Sequence, residues 1–168
     1  MKKIIALSFI CCSLFSCAQG EVPTEFTNAS LNEKVTDLNG KEMKFSEVLK
    51  NQKGKVTVIE FWASWCSDCV KAMPKVKAMQ AANPEVSYVF ISLDKAFDKW
   101  KSGIEKHELS GEHYWINDER GMKGNFGKSI DLDWIPRYMI IDKAGKISIY
   151  RAIETDFEKI QATLNSLK

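Results

Sequence analysis

Apolar and polar positions change rhythm several times along this chain, and each change marks an element. Val56-Thr57-Val58-Ile59 and the stretch from Val86 to Leu93 are apolar with little alternation, as expected of central strands covered on both faces. Val70, Met73, Val76 and Met79 then recur every three residues, which predicts a helix over 70–82. Pro74 falls inside it and removes one i→i−4 bond, and Asn83-Pro84 stops it. A second helix is expected from Lys95 to Leu109, a short strand from His113 to Ile116, and a glycine-interrupted helical turn from Met122 to Lys128. Tyr138 to Ile141 and Lys146 to Tyr150 read as antiparallel strands joined at Asp142-Lys143-Ala144-Gly145. Upstream, Val35 to Phe45 contains Asn39-Gly40, a type I′ hairpin signal, followed by a short capped helix at Ser46-Glu47-Val48-Leu49 that ends near Gly54. Thr155-Asp156-Phe157-Glu158 has the form of a capping box opening a last helix that runs to about Leu167. The order is a β-hairpin, then βαβαβ, then a β-hairpin and a helix. That order predicts an α/β domain with a mixed central sheet flanked by helices on both faces.

The first residues follow a different rule. Lys2 and Lys3 precede an apolar run from Ile4 to Phe15, too short for a spanning helix and patterned as a secretory signal. The run closes on Leu14-Phe15-Ser16-Cys17, which resembles the lipobox of bacterial lipoproteins. That resemblance implies that residues 1–16 are removed and that Cys17 becomes the lipidated first residue; cleavage after Ala18 is the alternative. Residues 17–30 are polar and aperiodic, a tether from membrane to a domain over 31–168.

Composition narrows the function classes. A length of 168 residues, 45% hydrophobic and 27% charged, suits one ordinary globular domain, and a net charge of +2 gives no footing for nucleic acid. Lys71, Lys75 and Lys77 read as a solvated helix face. Of five cysteines, Cys11 and Cys12 leave with the signal and Cys17 is lipidated or removed. Only Cys66 and Cys69 then remain as thiols, so no odd thiol is stranded in an oxidising compartment.

Those two cysteines sit two residues apart at a strand-to-helix junction, Phe61-Trp62-Ala63-Ser64-Trp65-Cys66-Ser67-Asp68-Cys69. A pair at this spacing can close a small disulfide ring and reopen it. A thiolate at the first position would meet free N–H groups and the positive end of the helix dipole. Cys66 is therefore the candidate nucleophile and Cys69 its resolving partner. A purely structural bridge and half of a zinc site are the competing readings, but zinc wants four ligands and the mature chain adds only scattered His107 and His113.

The segment Glu60 to Cys69, with Pro74 in the following helix and Ile135-Pro136 before a strand, resembles the active-site framework of thioredoxins. The strand–helix between Ser87 and Ile116, with the export signal, is similar to the TlpA/ResA branch of exported thiol–disulfide oxidoreductases. The resemblance implies a thioredoxin fold with an N-terminal β-hairpin and an inserted strand–helix, and it implies disulfide exchange through Cys66 and Cys69. It implies a cis-proline at Pro136, with Ile135 pairing its backbone with substrate and Trp65 as an exposed apolar landing surface. It makes Glu60 the buried acid that exchanges a proton with Cys69; an acid reaching solvent at a strand end is the alternative. Ser67-Asp68 stands where familiar thioredoxins carry Gly-Pro, and the Asp68 charge disfavours the Cys66 thiolate, which argues for the reducing direction. Trp62, Trp100 and Trp115 are expected in the core, and Trp134 is divided between core and docking surface.

The expected activity is reduction of disulfides in oxidised exported proteins, with no bound cofactor and with a membrane dithiol donor restoring the pair. Its expected place is the periplasmic side of the cell envelope, held to the membrane by the lipid, or free in the periplasm if cleavage follows Ala18. A non-catalytic binding module and a thiol peroxidase are the alternatives, although the Pro-x-x-x-Thr/Ser-x-x-Cys segment of the latter is missing around Cys66.

Overall fold

The computed structural model describes residues 22–168. The expected signal at 1–16 and Cys17 lie outside the described residues.

Seven strands form one mixed sheet in the order β2-β1-β5-β4-β3-β6-β7. At its centre β3 (Thr57–Trp62) runs parallel to β4 (Ser87–Ser92) and antiparallel to β6 (Arg137–Ile141). All six residues of β3 are buried, which is why this stretch has no alternation: both of its faces are covered. β5 (Glu112–Trp115) extends the parallel part, and β1 (Lys34–Asp37) with β2 (Glu42–Lys44) closes that edge in antiparallel sense. β7 (Ile147–Ala152) closes the other edge beside β6.

One face carries α3 (Ser67–Ala82), α4 (Phe97–His107) and α6 (Phe157–Leu167). They meet through Lys77 and Glu108 at 3.1 Å and through the Asn83–Gln161 amide pair at 2.9 Å. The opposite face carries α2 (Phe45–Asn51) and α5 (Asn125–Ser129), joined by a chain of aromatic rings. Phe26, Phe45 and Phe126 follow one another at centroid separations of 5.0 and 5.1 Å, and Phe61 on β3 lies 5.9 Å beyond.

Four local readings change. The stretch expected to be tether up to residue 30 is docked well before it. The Thr24 carbonyl accepts the Ile147 N–H, Phe26 packs on Phe45, and a short helix α1 (Asn28–Asn32) starts from a Thr27 cap with Ser30 fully buried. The scarcity of apolar residues hid this, because a single phenylalanine and a capping threonine do the anchoring. Second, the β1–β2 hairpin is not a type I′ turn. Of its loop residues only Gly40 has positive φ, +81°, and the turn closes from the Gly40 N–H to the Asp37 carbonyl. The β6–β7 connection repeats this construction, with Gly145 at φ +91° closing on Asp142. In each turn the aspartate carboxylate also accepts two backbone N–H groups, so Asp-x-x-Gly-Lys is the operative signal rather than Asn-Gly. Third, the expected Thr155 capping box is absent: Asp156 is the cap residue of α6, and its carboxylate accepts the Ile153 N–H instead. Fourth, α4 is shorter than expected at both ends, and Glu108 at φ +50° terminates it in a left-handed turn.

Candidate functional site

The site lies where the carboxyl end of β3 meets the amino end of α3. β3 ends at Trp62, and the Cys66 N–H donates to the Ala63 carbonyl at 3.1 Å, a tight turn that sets Cys66 as the N-cap of α3. The helix starts at Ser67 rather than at Val70, so both cysteines belong to its first turn. Cys66 and Cys69 are joined as a disulfide with their Cα atoms 5.3 Å apart. The Cys69 N–H donates to Cys66 Sγ at 3.1 Å, the bond an N-cap side chain accepts, and one that favours negative charge on that sulfur when the ring is open. Cys69 is fully buried and Cys66 is 6% exposed, so an incoming molecule meets Cys66 first.

The Ile135–Pro136 bond is cis, and the Ile135 carbonyl oxygen lies 3.5 Å from Cys66 Sγ. Sequence-distant residues thus meet at the disulfide. Trp65, 58% exposed, and Trp134, 47% exposed, flank a shallow cavity whose other walls are Cys66, Ser67, Asp68, Met122 and Ile135. Trp134 is therefore at the rim rather than in the core. Trp62 and Trp100 are fully buried, and Trp115 is half-buried against Phe97 and Trp100. Asp68 faces this rim, 35% exposed, and pairs at 3.5 Å with Lys71, which is largely in water.

Glu60 is buried, 2% exposed, and does not reach solvent. It sits opposite Tyr138 in the β3–β6 register, and Tyr138 packs on Phe157 of α6, so Glu60 points to the face that α3 covers. Burial raises its pKa to about 8, against the pull of the Tyr138 hydroxyl hydrogen bond, which lowers it. Among the described residues, no cluster of His, Cys, Asp and Glu is arranged to hold a metal ion, and no helix is long and apolar enough to cross a membrane.

Three groups near the site have no counterpart in the motif. Asp94 accepts hydrogen bonds from Ser64, two residues before Cys66. Arg137, directly after Pro136, is fully buried and reaches Asp133. Met122 supplies an apolar wall from the loop before α5. A signal for the first was available: Ser92-Leu93-Asp94 places polar residues at the carboxyl end of an otherwise apolar strand, the end at which α/β sheets assemble their sites.

This arrangement has known relatives. A thioredoxin-like family model matches residues 54–147. The thiol–disulfide oxidoreductase ResA of Bacillus thuringiensis subsp. konkukian is 28% identical over 152 residues, which span 86% of this chain and 83% of that protein. ResA of Bacillus anthracis is 30% identical over 116 residues, 67% of this chain and 61% of that one. Among solved structures, a thiol–disulfide oxidoreductase from Bacteroides fragilis superposes with a TM-score of 0.66 at 22% identity, covering 80% of this chain and 96% of the other, a likeness of fold. The chain belongs to the thioredoxin-like family and, within it, to the thiol–disulfide oxidoreductases.

Proposed function

We propose that this protein reduces disulfides in oxidised exported proteins. The observation that carries the reading is the asymmetry of the pair: Cys66 caps the helix at the floor of an apolar cavity, whereas Cys69 is sealed behind it. In the reduced protein the Cys66 thiolate attacks one sulfur of a substrate disulfide. The substrate S–S bond breaks, a mixed disulfide forms, and one substrate thiolate leaves. Cys69 then attacks Cys66 Sγ, releasing the second substrate thiol and closing the Cys66–Cys69 bond. Two electrons pass to the substrate, and sulfur carries all of them, so the exchange calls for no bound cofactor. Glu60, whose raised pKa brings it close to that of a thiol, takes the Cys69 proton in its ionised form as that thiol becomes a nucleophile. Trp65 and the Ile135 carbonyl beside Pro136 receive the substrate strand, while Ser67 and Asp68 tune the ring.

A membrane dithiol donor reduces the pair again after each turnover. The protein sits on the periplasmic side of the cell envelope, its signal at 1–16 removed and Cys17 carrying the lipid. The export pattern from Lys2 to Cys17 supports this part of the reading.

Insulin reduction tests the activity. Turnover by the wild type, abolished in Cys66→Ala and stalled as a trapped mixed disulfide in Cys69→Ala, is the expected outcome. A wild type that leaves insulin intact sinks the reading. Mass measurement of the mature N-terminus decides lipidation.

A further inference from the structure

The turn that delivers Cys66 is held by a carboxylate that takes no part in disulfide exchange. Because the Cys66 N–H closes on the Ala63 carbonyl, Ser64 and Trp65 are the two central residues of that turn. Asp94, 2% exposed just past the end of β4, accepts the Ser64 N–H at 3.2 and 3.0 Å on its two oxygens and the Ser64 hydroxyl at 2.7 Å. The Ser92 hydroxyl donates to the same carboxylate at 2.8 Å. The Asp94 backbone is itself fixed, its N–H on Ser92 Oγ at 2.9 Å and its carbonyl accepting the Trp115 indole N–H at 2.6 Å. From the other side α4 comes flush against the turn. A Cβ on Gly103 would lie 2.6 Å from Ser64 Cβ and 3.2 Å from Trp62 Cη2, so the helix reaches this depth only because position 103 has no side chain.

We propose that the Ser64–Asp94 clamp, closed by Gly103, is the device that holds Cys66 at the amino end of α3 and thereby sets how readily its thiolate forms. The inference rests on the exchange function above. Ser64, Asp94 and Gly103 act through Cys66 and are positioning residues. The segment from α4 to β5 then has a task at the site: its helix presses on the turn, and its Trp115 anchors the clamping aspartate. The physical lever is distance. The Cys69 N–H reaches Cys66 Sγ at 3.1 Å, and the helix-terminus effect falls off within one turn, so a small displacement of the Ala63–Cys66 turn weakens the stabilisation of the thiolate.

The test uses the full chain in its reduced form, with Ser64→Ala, which removes one clamp hydrogen bond without changing charge, and Gly103→Ala, which pushes the turn off α4. Ultraviolet thiolate absorbance against pH gives the Cys66 titration midpoint, and equilibration with glutathione gives the reduction potential. Both variants are expected to titrate at higher pH than the wild type, Gly103→Ala more so. The thiolate fraction below the midpoint should fall about threefold to tenfold. Exchange with a small aromatic disulfide at fixed pH should slow in parallel. If Gly103→Ala does not fold, Ser64→Ala decides alone. A midpoint and potential equal to wild type in the folded variants, whatever their melting temperatures, overturn the proposal and leave the clamp a purely structural contact. Absence of insulin reduction in the wild type strikes the exchange function instead, and the Cys66 titration still settles the clamp.

Discussion

The Tyr138 hydroxyl donates to Glu60 Oε1 across 3.4 Å, joining residues that face each other in register on β6 and β3. This is a long bond for a buried carboxyl group, and Glu60 Oε2 has no partner among the described residues. An ionised carboxylate so poorly satisfied is costly, and burial accordingly raises its pKa from 4.5 to about 8. Near neutral pH most of the group therefore holds its proton, and the acceptance of the Cys69 proton proposed above runs through the ionised fraction, which grows as pH approaches about 8.

The sign of the resulting pH dependence follows. Below about pH 4.5 folded and unfolded chains both keep the Glu60 proton; between 4.5 and about 8 only the folded chain does. Folding stability therefore falls as pH rises through that window, by roughly 5 kcal/mol at its upper end as an order of magnitude. Glu60→Gln cannot ionise, so the oxidised variant should match the wild type near about pH 5 and exceed it by several kcal/mol near about pH 9. Urea unfolding across that range checks this, and parallel stability curves would contradict it. In turnover, the proposed role of Glu60 as acceptor of the Cys69 proton predicts that the same variant accumulates mixed disulfide.

Asp68 lies between the two cysteines in sequence, 35% exposed, and pairs at 3.5 Å with the largely exposed Lys71, so solvent screens its charge in part. Asp68→Asn removes a negative charge beside the Cys66 thiolate, favours the reduced form, and should raise the reduction potential by roughly 10–30 mV. A glutathione equilibration series measures this. The wild-type value is expected toward the thioredoxin end of the range; one near about −120 mV would falsify the reducing assignment.

What the chain makes legible is local and chemical. Unbroken apolar runs identify β3 and β4, three-residue spacing identifies α3, and Trp65-Cys66-Ser67-Asp68-Cys69 identifies the reacting group. What stays hidden depends on partners far apart in sequence. Asp94 meets Ser64 across thirty residues, and nothing in either local pattern announces the other. Phe26 looks like an isolated apolar residue in a polar stretch until Phe45 and Phe126 are seen beside it. The sequence leaves Trp134 divided between core and surface, because exposure of an aromatic before a strand depends on what the loop packs against. Glu60 shows the same limit from the other side: its position in an apolar run marks burial, but the Tyr138 hydroxyl that holds it comes from the paired strand.

The two exposed tryptophans predict a division between protein and small substrates. Trp65 and Trp134 flank the cavity over Cys66, and the buried Glu60 is not among the residues that line it. Truncating either to alanine removes apolar area that a protein substrate would cover, on the order of 1–2 kcal/mol at about 25 cal/mol per Å². KM for insulin should then rise about fivefold to thirtyfold, with the rate toward a small disulfide within about twofold of wild type. Equal losses on both substrates would place the tryptophans in the chemistry or in the folding of the site instead.

Arg137 supplies a stability prediction in which the acid matters more than the base. Its side chain is fully buried directly after Pro136, and its guanidinium reaches the Asp133 carboxylate and, at 3.3 Å, the Asp131 carbonyl. Its Nε and Nη1 have no partner among the described residues, so Asp133 is the one carboxylate that balances the buried cation there. Asp133 is itself 52% exposed and also engages Arg151, which water screens. Removing one partner of a buried pair strands the other, whereas replacing the buried ion with an apolar side chain of similar size does not. Asp133→Ala should therefore destabilise the oxidised protein by about 2 kcal/mol, below the range for a fully buried pair because half of the acid is in water. Arg137→Met should cost less, and the double variant should be more stable than Asp133→Ala alone. Denaturant unfolding of the three variants gives the coupling energy directly. Additive losses would mean that Asp133 and Arg137 stabilise the loop independently, and that the cation is neutralised by some other group.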